Sequence, residues 1–154
     1  MPAIQDILSQ LFKEMKVPVE YRPLDGGQHL FALAYQLGED KVVPCHIIAR
    51  DFNEGEATTD FQINYRQLCQ VEDYQQTAKA LEVINDLNRE RSGYYNLILS
   101  GDGEIYTRCL SRTGEDVRVL YELMTLGASV ARDLYPRLEQ AINNKTVKVA
   151  ERSE

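Results

Sequence analysis

The chain has 154 residues, 44% of them hydrophobic and 27% charged, with a formal net charge of -7. That size and composition belong to one globular domain able to bury a core without a disulfide or a metal, and they exclude disorder along the whole chain. The acidic balance argues against nucleic acid and against anionic membrane as partners, and no run of Lys or Arg suggests a local basic patch.

Residues 3–16 are predicted as an amphipathic helix. Ile4, Ile7, Leu8, Leu11, Phe12 and Met15 recur at helical spacing, with Asp6, Gln10, Lys13 and Glu14 on the other side. Pro18 ends it, because the residue before a proline is pushed out of the α region. No basic stretch precedes an apolar run at the N-terminus, and no apolar run approaches membrane-spanning length. The expectation is therefore a cytoplasmic protein with neither leader nor span.

Residues 19–65 change period. Stretches 28–37, 42–49 and 58–65 are rich in apolar and β-branched residues, separated by turn signals at Gly26-Gly27, Gly38–Lys41 and Asn53–Glu56. Short connections of this kind predict an antiparallel meander of three or more strands. Pro44 predicts an edge position or a strand start.

Residues 72–91 return to a helical period, with a predicted inner stripe of Tyr74, Ala78, Leu81, Ile84, Asn85 and Asn88. Ser92-Gly93 ends this helix. Residues 94–100 and 104–110 flank Gly101-Asp102-Gly103 as a hairpin. Residues 115–142 form the longest predicted helix, with a kink or break expected near Tyr135 because Pro136 removes a backbone donor. Residues 145–154 are predicted as a flexible tail after a single domain of 1–144. The fold class is α+β, with helices packed on an antiparallel sheet in the order α-β-β-β-α-β-β-α.

Chemistry is sparse. Cys45, Cys69 and Cys109 form no C-x-x-C and are read as reduced, structural thiols. His29 and His46 lie in no local catalytic signature. Cys45 and His46 should point to opposite faces of their strand. The acidic turn Asp51, Glu54, Glu56 and Asp60 lacks a calcium-loop spacing, and Gly101-Asp102-Gly103 joins two strands where a phosphate loop would open a helix. No catalytic, metal or cofactor residue is assigned.

Two features stand out. Asn85 and Asn88 fall on the predicted inner side of the second helix, where an amide must find a partner, in the backbone or in a ligand. The last helix carries a second apolar stripe, Val119, Leu123, Leu126 and Val130, beside its main one. Such a helix is either buried on two sides by its own domain or shared with another subunit.

The run Ala80-Leu81-Glu82-Val83-Ile84-Asn85-Asp86-Leu87-Asn88-Arg89, the hairpin at Gly101-Asp102-Gly103-Glu104 and the helix ending Ala131-Arg132-Asp133-Leu134-Tyr135-Pro136-Arg137-Leu138 together resemble the YbjN-like family, best over residues 72–142. The resemblance implies the fold of type III secretion chaperones. It also implies a bacterial cytoplasmic protein that dimerises and binds another protein, without enzyme activity or cofactor. The leading expectation is thus a non-catalytic protein-binding module, chaperone-like or regulatory, acting through its sheet or last helix. The alternative is a small-molecule sensor or enzyme with a pocket between sheet and helices.

Overall fold

The structure is a computed structural model and describes residues 2–147. The elements are α1 (Ile4–Glu14), β1 (Glu20–Leu24), β2 (Gln28–Gly38), β3 (Lys41–Arg50), β4 (Thr59–Gln70), α2 (Thr77–Glu90), β5 (Asn96–Leu99), β6 (Glu104–Thr113) and α3 (Arg118–Asn143). The strands form one antiparallel sheet in the order β1-β2-β3-β4-β6-β5. This is the expected α+β order, with the meander extended by the short edge strand β1. The β1–β2 connection turns tightly because Gly26 and Gly27 both adopt positive φ, at 73° and 74°.

The pleat of the sheet sets the layers. Phe31, Ile47, Ile63 and Cys109 lie in one row across β2, β3, β4 and β6, and all four are buried. Their face receives the helices. Ile4, Leu8 and Phe12 of α1 are buried, and Phe12 meets Phe31 at 5.4 Å between ring centroids. α3 crosses β2, β4 and β6, and α2 packs beside it over β5.

Several expectations are corrected. Pro44 sits in β3, which is internal to the sheet. It is tolerated because the β3–β4 ladder begins only at Cys45, so the missing donor lies where β4 has already left the pairing. There β4 bulges: Tyr65 to Cys69 spans the same stretch of β6 as Thr107 to Ile105, with Gln67 at φ 56°. α3 starts at Arg118, later than expected, because β6 continues to Thr113. It then runs unbroken through Pro136, with Leu134, Tyr135, Leu138 and Ile142 buried on both sides of the proline. Core burial along that face outweighs one lost backbone bond.

Residues 145–147 of the expected tail are held against the domain. Asn144 takes the left-handed conformation and turns the chain back, so the Lys145 amide donates to the Glu139 carbonyl at 3.1 Å. Lys145 also pairs with Glu72, and Val147 packs against the core. The remainder of the expected tail, residues 148–154, lies outside the described residues.

Candidate functional site

The sheet has a second face, which no helix among the described residues covers. The same pleat that buries Phe31 and Ile47 turns their neighbours outward. One row across the strands reads Arg22, Leu30, Ile48, Gln62, Leu110; the next reads Glu20, Ala32, His46, Asn64, Arg108, Asn96. Leu110 is 64% exposed, while Leu30 and Ile48 are half-buried.

The charge on this face runs against that of the chain. Arg22, Arg50, Arg66, Arg108 and Arg112 all point outward, against Glu20, Asp60 and Glu104. Arg66 pairs with Glu104 at 2.7 Å and lies over the Tyr106 ring at 4.0 Å. Arg112 pairs with Asp60 at 2.7 Å. The guanidinium groups of Arg22, Arg50 and Arg108 have no carboxylate partner among the described residues. Three unpaired cations and an apolar row therefore share one surface of an acidic protein.

His46 stands in the middle of this surface. Burial lowers its pKa, Arg66 and Arg22 lower it further, and Glu104 pulls the other way. Its neighbour Cys45 points into the core, as the pleat requires, and burial pushes that thiol up to about 12. Burial raises Cys69 and Cys109 as well, so all three free thiols are held protonated at neutral pH.

At the far end of the helix-covered face, Tyr21, His29 and Asp51 form a string. The Asp51 carboxylate only accepts, so His29 donates to it through Nε2 at 2.6 Å, leaving Nδ1 to accept the Tyr21 hydroxyl at 2.7 Å. Asp51 also lines an open cleft of about 560 Å³ with Pro2, Ile4 and Phe52. Among the described residues, no group of three or more His, Cys, Asp or Glu is arranged to hold a metal ion, and no helix is long and apolar enough to cross a membrane.

The residues singled out from the sequence are divided by the structure. Asn88 is half-buried and bonds to both backbone groups of Leu97: its amide donates to the carbonyl at 3.2 Å, and its oxygen accepts from the N–H at 2.7 Å. It supplies the strand that β5 lacks on its outer side. Asn85 is exposed, contrary to expectation. The inner stripe of α2 is Ala80, Val83, Ile84 and Leu87, so Asn85, Ala78 and Leu81 face outward. In the second stripe of α3, Leu123 is buried and Val130 is half-buried within the domain; the segment after α2 passes them, with Gly93 beside Val130 and the Tyr95 hydroxyl bonded to the Leu123 carbonyl. Val119 and Leu126 stay 55% and 47% exposed.

The outward arginines escape sequence reasoning for a physical reason. Arg50, Arg66, Arg108 and Arg112 each sit one residue from a buried strand position, as Arg66 does beside Tyr65 and Arg108 beside Cys109, whereas Arg22 lies in the exposed edge strand β1. Alternation alone marks them as outward. What gathers them is cross-strand register, which pairs residues tens of positions apart.

Compared with known proteins, the chain matches no family model and no curated sequence.

Proposed function

We propose that the protein is a non-catalytic binding module for another protein, chaperone-like or regulatory, and that it binds through the open face of its sheet. The observation that carries this reading is the uncovered row Leu30, Ile48 and Leu110 flanked by the unpaired guanidinium groups of Arg22, Arg50 and Arg108. Apolar surface beside unsatisfied charge gains by being covered, and a flat sheet face suits a macromolecular partner better than a small ligand. The YbjN-like resemblance and its α+β element order support the same reading. A cytoplasmic location and a homodimer contacting through Val119 and Leu126 belong to the proposal.

The test is site-specific photo-crosslinking in the host cell. A crosslinker at Leu110 is expected to give a discrete protein adduct, and one at exposed Leu81 is not. Failure to trap protein at Leu110 in growing cells would overturn the reading.

A second reading, a small-molecule site, rests on the Tyr21–His29–Asp51 string beside its cleft. The cleft lies at the rim of the domain, whereas core side chains fill the space between sheet and helices. A metabolite that raises the melting temperature of the wild type but not of His29→Ala would favour it.

A further inference from the structure

We infer that the open sheet face receives an acidic amphipathic helix from another protein. This rests on the protein-binding reading and adds the chemistry of the occupant.

The face itself argues for a helix. Backbone donors and acceptors of a sheet lie in its plane, so an occupant of the face must satisfy its own backbone, as a helix does. The two outer edges are poor seats for an added strand. Asn88 already takes both backbone groups of Leu97 on β5, and β1 carries Pro23. From β1 to β6 the row crosses four strand spacings, roughly 19 Å. At 1.5 Å per residue, about 13 helical residues cover it, enough for four successive apolar contacts on one side.

Charge argues for acidity. Arg22, Arg50 and Arg108 border the apolar row and lack carboxylate partners among the described residues. Guanidinium groups match carboxylates in bidentate geometry, and the open face uses arginine where the rest of the chain is acidic. A long nucleic acid would run off the face onto the acidic flanks of a chain with formal net charge -7. The aromatic ring on the face, Tyr106, is already covered by Arg66. A second copy docked sheet to sheet would bring together two faces that each carry more arginines than carboxylates.

The experiment is fluorescence anisotropy at about 0.1 M salt with four labelled probes. They are a peptide of about 14 residues with leucines at helical spacing and glutamates elsewhere, its scrambled isomer, its Lys-for-Glu counterpart, and an oligouridylate of equal length. The amphipathic acidic peptide is expected to bind at least about tenfold tighter than the other three. Arg22→Gln with Arg50→Gln, both at exposed positions, should weaken it about fivefold, and Leu110→Asp more, with melting temperatures unchanged. Equal binding of the Lys peptide overturns the acidic occupant while leaving the protein-binding reading standing. Tighter binding of oligouridylate overturns it in favour of RNA. Self-association abolished by Leu110→Asp overturns it in favour of a second copy. No binding by any peptide overturns it as well; only an absence of adducts at Leu110 in cells would then remove the protein-binding reading too.

Discussion

Tyr95 lies so close to Gly127 that a Cβ at position 127 would fall 2.3 Å from the phenol oxygen. The Tyr95 hydroxyl passes this bare stretch of α3 and donates to the Leu123 carbonyl at 2.6 Å, while Tyr65 donates to the carbonyl of Met124. Two buried tyrosines thus fix α3 to the sheet across one glycine. Gly in a helix interior normally costs about 0.5–1 kcal/mol relative to Ala. Here the sign reverses, because a Cβ would also meet a Tyr65 ring carbon at 2.5 Å. Gly127→Ala is expected to destabilise by about 3 kcal/mol, read from urea unfolding. Tyr95→Phe should cost about 1 kcal/mol, the value of its hydrogen bond. A stabilised Gly127→Ala protein would show that the helix does not sit this close.

Asn88 and Asn85 should separate cleanly. Removing the Asn88 amide leaves the N–H and C=O of Leu97 without partners at a half-buried strand edge. Asn88→Ala is therefore expected to cost about 2 kcal/mol. Exposed Asn85→Ala should change stability by less than about 0.5 kcal/mol. Unfolding midpoints of the two variants, measured side by side, check the assignment. Equal effects would refute it.

That contrast also marks what was legible in the sequence. α1 was legible to within two residues of its ends, since Ile4, Leu8 and Phe12 offer a single apolar stripe and all three are buried, although Met15 lies exposed just beyond the helix. α2 was legible as a helix but not in phase. Of the expected stripe, Ile84 and Asn88 do turn inward, whereas Tyr74, Ala78, Leu81 and Asn85 face outward and Ala80, Val83 and Leu87 take their place; only contact with α3 and β5 selects that phase. On α3, Leu123 is covered while Val119 and Leu126 stay exposed, a difference set by where the chain passes α3 and not by the pattern on α3. The open face was the least legible part. Each strand reveals its own alternation, but Arg22 and Arg108 share a surface only through five strands of register.

Thr107 holds the one buried side-chain polar atom left without a partner among the described residues. It is fully buried in β6, between Tyr65 and Leu97 in neighbouring strands. Its hydroxyl gives up water and gains nothing in return. Thr107→Val keeps the branched shape and removes the stranded group. The variant is expected to be more stable by about 1 kcal/mol, measured as a higher urea midpoint at unchanged m-value. A loss of stability would mean that the hydroxyl has a partner.

His46 should give the protein a pH-dependent stability. It lies between Ala32 and Asn64 in its row, with Glu20 and Arg108 further out. Burial, followed by Arg66 and Arg22, holds its folded pKa below the ordinary 6.5, with Glu104 opposing. The unfolded chain therefore takes up this proton first as the pH falls. The contribution of His46 is complete above 6.5 and declines as pH drops through the lowered folded value. His46→Gln should flatten this part of the slope between about pH 7.5 and 5.5. Unfolding curves of wild type and variant across that range give the difference directly. A variant slope equal to that of the wild type would show that His46 titrates alike in both states. A steeper wild-type slope would confirm that burial, with the nearby arginines, opposes the charged form of His46 in the folded state.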